Sequence, residues 1–164
     1  MNMKIKEIIL FVAVLFLAAS SNAEKASKAG VESLNEDLRL LLQKEMLAID
    51  SGMKEIVSAS AAGDYEKVSS IARQIKDSFI LQQNLTKHQQ HQLHMTLSSD
   101  FIKQDQNFHY MAGMLEHAAK NQKPELIGFY YSKLIGSCMS CHEAHARHKF
   151  PKFGEATPKD RHHH

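Results

Sequence analysis

The sequence predicts an all-α protein folded as an antiparallel four-helix bundle. Apolar residues recur at three- and four-residue intervals in four long segments, which is the spacing of one face of an α-helix. No segment alternates apolar and polar residues for long enough to indicate a β-strand. Short breaks separate the four segments, and such connections favour antiparallel neighbours around one shared core. The 164 residues suit a single domain.

The first helix is predicted over about residues 33–62. Ser33 and Glu36 have the spacing of a capping box, in which each side chain satisfies a backbone N–H at the start of a helix. Gly63 is expected to end this helix, and Asp64 to cap the next one. Its apolar stripe includes Met46 and eight further residues: Leu34, Leu38, Leu41, Leu42, Ile49, Met53, Ile56 and Val57.

The second helix is predicted from about Tyr65 to Leu85 and is followed by a polar, histidine-rich stretch. Within that stretch, Thr86 and Gln89 form a capping box that would start a short helix, with a loop at residues 97–99. The apolar stripe of the second helix consists of Tyr65, Val68, Ile71, Ala72, Ile75, Phe79 and Leu85.

The third and fourth helices complete the predicted bundle. The third helix begins at Ser99 or Asp100 and runs to about Asn121. Pro124 suits the first turn of the fourth helix because its missing N–H would have no partner there anyway. The segment 150–154, with proline and glycine, is expected to end this fourth helix.

Residues 1–23 are predicted to be a secretory signal peptide. Two lysines precede an apolar run over residues 8–19, and small residues at 21–23 suit cleavage before residue 24. The apolar run is about a dozen residues long, short of the roughly 20 that span a bilayer. We therefore expect a periplasmic protein with no stable membrane insertion after cleavage.

The remaining chain divides into a helical domain over residues 24–153 and a polar tail over residues 154–164. The histidines at 162–164 are either native or the remnant of a purification tag. The whole chain has 20 Lys and Arg against 18 Asp and Glu, and it stays nearly neutral without residues 1–23. This balance gives no reason to expect binding to nucleic acid or to an acidic membrane surface.

The segment that indicates a chemical function is Cys138-Met139-Ser140-Cys141-His142. The pattern C-x-x-C-H is the attachment signature of a c-type haem. Two thiols at this spacing can each bond to one vinyl group of a porphyrin, and the adjacent imidazole can bind the iron. These are the only two cysteines of the chain, so attachment leaves no thiol for a disulfide. The sequence therefore predicts one covalent haem c near the end of the last helix.

The cysteine pair has two other interpretations. A redox-active dithiol is expected to follow a strand and to open a helix, and no such pattern precedes Cys138. A structural zinc site needs two ligands besides Cys138 and Cys141, which His145 and His148 would supply. The sequence alone does not exclude this zinc site.

An exported chain with four helices and this motif in the last one resembles the class II c-type cytochromes, the cytochrome c prime family. The resemblance covers residues 32–153, and its specific part is the motif and its position. It implies that Cys138 and Cys141 are thioether anchors and that His142 is the proximal iron ligand. The distal position, on the first helix, falls best on Met46, with Met53 two turns later as the second choice.

The resemblance also implies the function. Members with a distal methionine carry electrons, so we expect an electron carrier with no enzymatic activity, with redox proteins as partners and His142 and Met46 as axial ligands. Five-coordinate members bind NO or CO, which is the alternative function, and homodimers are common in the family. The family has an aromatic and then a basic residue three and four positions after the proximal histidine, where this chain has His145 and Ala146, with Arg147 next. A third hypothesis is an exported dithiol or metal-binding protein without haem.

The remaining histidines are predicted to be structural or exposed. His109 lies beside the apolar stripe of the third helix and is expected to be buried and hydrogen-bonded. Unless His145 and His148 bind zinc, six other histidines are expected to be exposed to solvent: His88, His91, His94, His117, His145 and His148.

Overall fold

The computed structural model describes residues 30–79 and 85–154, and over these residues the protein is all-helical, as predicted. The predicted signal peptide, residues 1–23, and residues 155–164 of the predicted tail lie outside the described residues. Two short 3-10 helices, Val31–Ser33 and Pro151–Gly154, lie at the two ends of the described part. Between them are five α-helices: α1, Glu36–Ala61; α2, Tyr65–Asp77; α3, Lys87–Thr96; α4, Ser99–Lys120; and α5, Pro124–His145. None of these five helices combines the length and the hydropathy of a membrane span.

Helix α1 begins later than predicted. Its N-cap is Asn35, whose side-chain oxygen accepts a hydrogen bond of 2.9 Å from the backbone N–H of Leu38. The predicted capping box between Ser33 and Glu36 is wrong, because Ser33 belongs to the preceding 3-10 helix. Asn and Ser are about equally good N-caps, so the local sequence alone does not choose between these two residues.

The other predicted helix boundaries of the first half are confirmed except one. Gly63 follows α1 with a φ of 71°, a left-handed conformation that favours glycine, and Asp64 caps α2. The capping box of Thr86 and Gln89 starts α3. Helix α2, however, ends at Asp77 rather than near residue 85; of the intervening residues, 80–84 lie outside the described part.

The predicted end of the fourth helix at residues 150–154 is also wrong. Helix α5 ends at His145, because the chain turns after Ala146 and the Phe150 N–H donates back to the Ala146 carbonyl.

Four of the helices share one apolar core, in which α1 packs on α2, α2 on α4 and α4 on α5. Gly52 lets α1 approach α2 closely, because a Cβ atom there would lie only 3.1 Å from the Ile71 side chain. Val57, predicted on the apolar stripe, is 51% exposed, since its neighbour Ile56 takes the inward position and adjacent residues diverge by about 100° on a helix. The buried core residues are Ile49, Met53, Ile56, Ala59, Val68, Ile71, Ala72, Ile75, Phe108, Ala112, Leu115, Ala118, Ala119, Ile127 and Leu134.

A second, smaller apolar cluster lies where α3 covers the start of α1 and the start of α4. It consists of Leu34, Leu38, Leu93, Leu97 and Phe101, with Cys141 of α5 packed against it. Cys138, one turn earlier on α5, packs instead against the four-helix core. The last turns of α5 therefore join the two apolar clusters.

Glu116 is a buried carboxylate that ties α4 to α2. Its oxygens lie 2.7 Å from Arg73 Nε, 2.9 Å from Lys76 Nζ and 2.6 Å from Lys120 Nζ. Burial alone would raise the pKa of Glu116, but the three cations outweigh it and lower this pKa from 4.5 to about 2. A carboxylate whose pKa falls on folding stabilises the folded state above its unfolded pKa, and this contribution is lost as the pH falls through the folded pKa.

We predict that Glu116→Gln lowers the free energy of unfolding at neutral pH by about 1–2 kcal/mol, a value reduced because the cations are partly exposed. The deficit should shrink as the pH falls from 4.5 through about 2. Urea unfolding at several pH values measures it. Glu55→Gln is the control, because Glu55 and Lys67 form an exposed pair at 3.7 Å, and its effect should stay below about 0.5 kcal/mol. A Glu116→Gln deficit that is constant with pH would contradict this assignment.

Candidate functional site

The three residues of the predicted attachment site occupy one face of the last turns of α5. Cys138, Cys141 and His142 have the i, i+3, i+4 spacing that places side chains side by side on a helix. Both cysteines are free and half-buried. Because Cys138 contacts the four-helix core and Cys141 contacts the second cluster, both thiols face the interior where the two clusters meet.

The position within the helix determines the chemistry of the thiols. The carbonyl end of a helix carries partial negative charge, which disfavours a thiolate. Burial raises the pKa of Cys138, and burial together with the charge of Asp105 raises the pKa of Cys141 to about 11. Catalytic dithiols have the opposite arrangement, with a thiol at a helix N-terminus and a lowered pKa. The described helix therefore does not favour a redox-active dithiol.

His142 is suited to donate a nitrogen lone pair. Burial lowers the pKa of His142, which favours the neutral imidazole that binds metals. Its ring stacks on Phe150, with 4.0 Å between ring centroids and 10° between ring planes. The chain folds back after α5 to make this contact, with the Phe150 N–H donating to the Ala146 carbonyl at 3.2 Å.

Met46 lies on α1 at the level of the two cysteines but outside both apolar clusters. Leu42, one turn before it, packs against the same cluster as Cys141. Asp50, one turn after it, is close enough to raise the pKa of Cys138 through its charge, although burial has the larger effect. Met46 itself is 36% exposed. The structure thus brings Cys138, Cys141 and His142 together, whereas Met46 remains at the edge of the apolar stripe on which it was predicted.

Met53, the second choice for the distal position, is a core residue. It is only 7% exposed and packs within the four-helix core. Its backbone carbonyl accepts a hydrogen bond of 3.2 Å from the Tyr131 hydroxyl of α5. Its burial is explained by packing alone.

The histidines of the zinc alternative contact other groups. His145 Nε2 lies 3.3 Å from Asp100 and its ring packs edge-on against Phe101, so the prediction that His145 is exposed is wrong. His148 Nδ1 lies 2.6 Å from Glu32. Within residues 30–79 and 85–154, no group of three His, Cys, Asp or Glu side chains is arranged to hold a metal ion.

The burial of the other histidines is as the sequence predicts. Those predicted on the surface, namely His88, His91, His94, His117 and His148, are exposed. His109 is buried, and its Nδ1 lies 2.8 Å from the Ile75 carbonyl oxygen.

Sequence reasoning missed two buried carboxylates beside this site, Glu45 and Asp105. The signal for Glu45 was present, because it lies seven residues after Leu38 and four before Ile49, on the apolar stripe of α1. Asp105 lies one turn before His109 on α4, and His109 Nε2 is 3.6 Å from one of its oxygens.

The residues of this face fit a covalently attached haem. Two thiols one helical turn apart face apolar side chains, and a neutral imidazole follows the second thiol. Two acceptors near this face, Gln104 Oε1 and Asp105 Oδ2, are buried and have no hydrogen-bond partner among the described residues. Such an arrangement is costly unless water or part of a ligand supplies a donor. The described side chains do not supply a donor to either of these two oxygens.

We predict that the thiols of the haem-free protein react slowly with iodoacetamide, at least about tenfold slower near pH 8 than a small free thiol, because thiolate is scarce and both sulfurs are half-buried. With Cys138→Ser, the rate at Cys141 should keep rising towards about pH 11. Unfolding in urea is the control and should restore the rate of a small thiol. A rate above that of the free thiol at neutral pH would instead indicate an activated dithiol.

Comparison with models of protein families, with curated proteins and with solved structures finds no match for this chain.

Proposed function

We propose that the protein is an exported, periplasmic c-type cytochrome that carries electrons through one haem bound to Cys138 and Cys141. The supporting observation is that the C-x-x-C-H motif lies in the last turns of a helix with both thiols facing apolar residues. In this proposal residues 1–23 are the signal peptide and residues 24–153 are the cytochrome domain. Helices α1, α2, α4 and α5 form an antiparallel four-helix bundle that resembles the class II c-type cytochromes.

The axial ligands in this proposal are His142 and Met46. His142 is kept neutral by burial, and its stacking on Phe150 limits rotation of the ring. Met46 of α1 would be the second protein ligand, and a thioether ligand would favour ferrous iron and a high potential. The haem, when bound, would supply a one-electron iron couple, and the side chains that hold it would keep their bonds unchanged during electron transfer.

The partner proposed for this function is another redox protein. Electron exchange between proteins needs a cofactor close to the surface but shielded from bulk water. Cys138 and Cys141 are half-buried, and Met139 between them is 53% exposed. A partner that docks over this end of α5 would therefore lie close to the attachment site.

The attachment is tested by producing the protein in cells that attach haem c in the periplasm. We expect haem to remain with the chain after denaturing, acidic extraction, and to be lost from the double variant Cys138→Ser/Cys141→Ser. Ser140→Ala is the matched control inside the motif, because the Ser140 hydroxyl bonds only to the Gly136 carbonyl, at 3.0 Å, among the described residues. Wild-type protein without retained haem would leave the dithiol or metal-binding hypothesis.

The distal ligand is tested with two methionines on the same helix. We expect a low-spin spectrum with a methionine–iron charge-transfer band, which Met46→Leu abolishes. Met53→Leu should keep the band and lower the free energy of unfolding by at most about 1.5 kcal/mol, since the swap nearly conserves core volume. Loss of the band in Met53→Leu alone would reassign the ligand to Met53.

A second candidate function is binding of NO or CO at a five-coordinate haem. The observation that favours it is the partial exposure of Met46, which belongs to neither apolar cluster. In this case the reduced protein is high-spin, and it binds CO at a rate that Met46→Leu leaves unchanged. Slow CO binding that Met46→Leu accelerates would instead support the electron carrier.

A further inference from the structure

Beside the candidate site lies a buried polar cluster, formed by Glu45 of α1 and by Asp105 and His109 of α4. The exposed fractions of these residues are 3%, 7% and 4%, respectively. Charged side chains are rarely this buried unless they are paired, because removal from water is costly. Electron transfer as proposed above assigns no role to any of the three.

The contacts of His109 show how the cluster is held together. Its Nδ1 lies 2.8 Å from the Ile75 carbonyl oxygen. Its Nε2 lies 3.2 Å from Glu45 Oε1 and 3.6 Å from Asp105 Oδ1. A carbonyl oxygen can only accept a hydrogen bond, so Nδ1 carries a proton, and the two carboxylates favour a second proton on Nε2. Burial lowers the pKa of His109, but Asp105 and Glu45 outweigh it and raise this pKa to about 9.

The cluster connects three helices at one level of the fold. Glu45 belongs to α1, the Ile75 carbonyl to α2, and His109 and Asp105 to α4. The hydroxyl of Ser78, just after α2, also lies 3.4 Å from Glu45 Oε1. Apolar contacts elsewhere on α1 have no preferred direction, whereas this buried ion pair ties one face of α1 to one position on α4. The Glu45–His109 pair therefore resists rotation of α1 about its own axis.

The position of Glu45 links this restraint to the candidate site. Met46 is the next residue, and successive side chains of a helix differ by about 100° in direction. Fixing the direction of Glu45 therefore fixes the direction of Met46. Asp105 is also close enough to Cys141 to raise the pKa of that thiol through its charge, so the cluster lies beside the attachment face.

We infer that Glu45 and His109 are positioning residues that set the rotation of α1 and thereby direct the Met46 thioether towards the iron. This inference rests on the proposed function. Loss of the Glu45–His109 pair releases α1, so the distal face opens in a fraction of the molecules even though no iron ligand has been changed.

The test compares Glu45→Ala with Glu45→Gln in the haem-loaded protein. We expect Glu45→Ala to weaken the methionine–iron band and to speed CO binding to the reduced protein about tenfold, because the open fraction of molecules sets the apparent reactivity. Glu45→Gln keeps the shape and an acceptor for His109, so it should restore most of the band. If Glu45→Ala fails to fold, the apolar triple variant Glu45→Leu/Asp105→Leu/His109→Leu takes its place.

The matched control is Glu116→Gln, which removes another buried carboxylate from the same fold but lies away from Met46. It should lower stability and leave the band and the CO rate unchanged. A band and CO rate that stay wild-type in Glu45→Ala, or that change equally in Glu116→Gln, would overturn the positioning role. Wild-type protein with a high-spin spectrum would instead overturn the proposed axial pair, so the two failures are distinguishable.

A second readout uses haem-free Cys138→Ser/Cys141→Ser protein and follows hydrogen exchange of the amides of residues 42–50. Introducing Glu45→Ala into this double variant should accelerate exchange in this segment about tenfold more than in α4 or α5. Introducing Glu116→Gln instead should not accelerate exchange in this segment more than in the other helices. Uniform acceleration by Glu45→Ala in all helices would mean that the cluster only contributes to overall stability, which contradicts the inference even if no haem is ever bound.

Discussion

The packing of α4 between α2 and α5 is the contact on which the rest of the structure depends. Three alanines of α4, Ala112, Ala118 and Ala119, are almost fully buried, and their small side chains let neighbouring helices approach closely. The same helix carries two buried polar groups that contact its neighbours: Glu116 is paired with α2, and His109 with α1 and α2. Apolar burial thus supplies most of the driving force, and two ion-paired sites fix how the helices are oriented.

The orientation of α5 then determines what its cysteines can do. The thiols lie at the carbonyl end of the helix and against apolar side chains, so their charged forms are disfavoured. The neighbouring His142 is kept neutral by the same burial. Uncharged thiols and a neutral imidazole on one inward face suit covalent attachment and iron ligation better than thiol–disulfide exchange.

The helices could be predicted from the sequence because their determinants are local. Apolar periodicity and the caps at Asp64 and Thr86 depend on residues within one or two turns of each other. The motif of the candidate site is equally local. The orientation of α1 around Glu45 and Met46 was not predictable in this way, because hydropathy favours the methionine as the inward residue. His109, 64 positions after Glu45, makes burial of that carboxylate favourable, and such a pairing is visible only in the folded chain.

The location of the attachment motif near the end of the described chain also has a consequence for biogenesis. A polypeptide is made from its N-terminus. The buried core residues, from Ile49 to Leu134, all precede Cys138. When the two thiols become available, the segments that form both apolar clusters have already been synthesised. In the proposed cytochrome, haem would therefore have to be attached before α5 packs its two thiols against these segments.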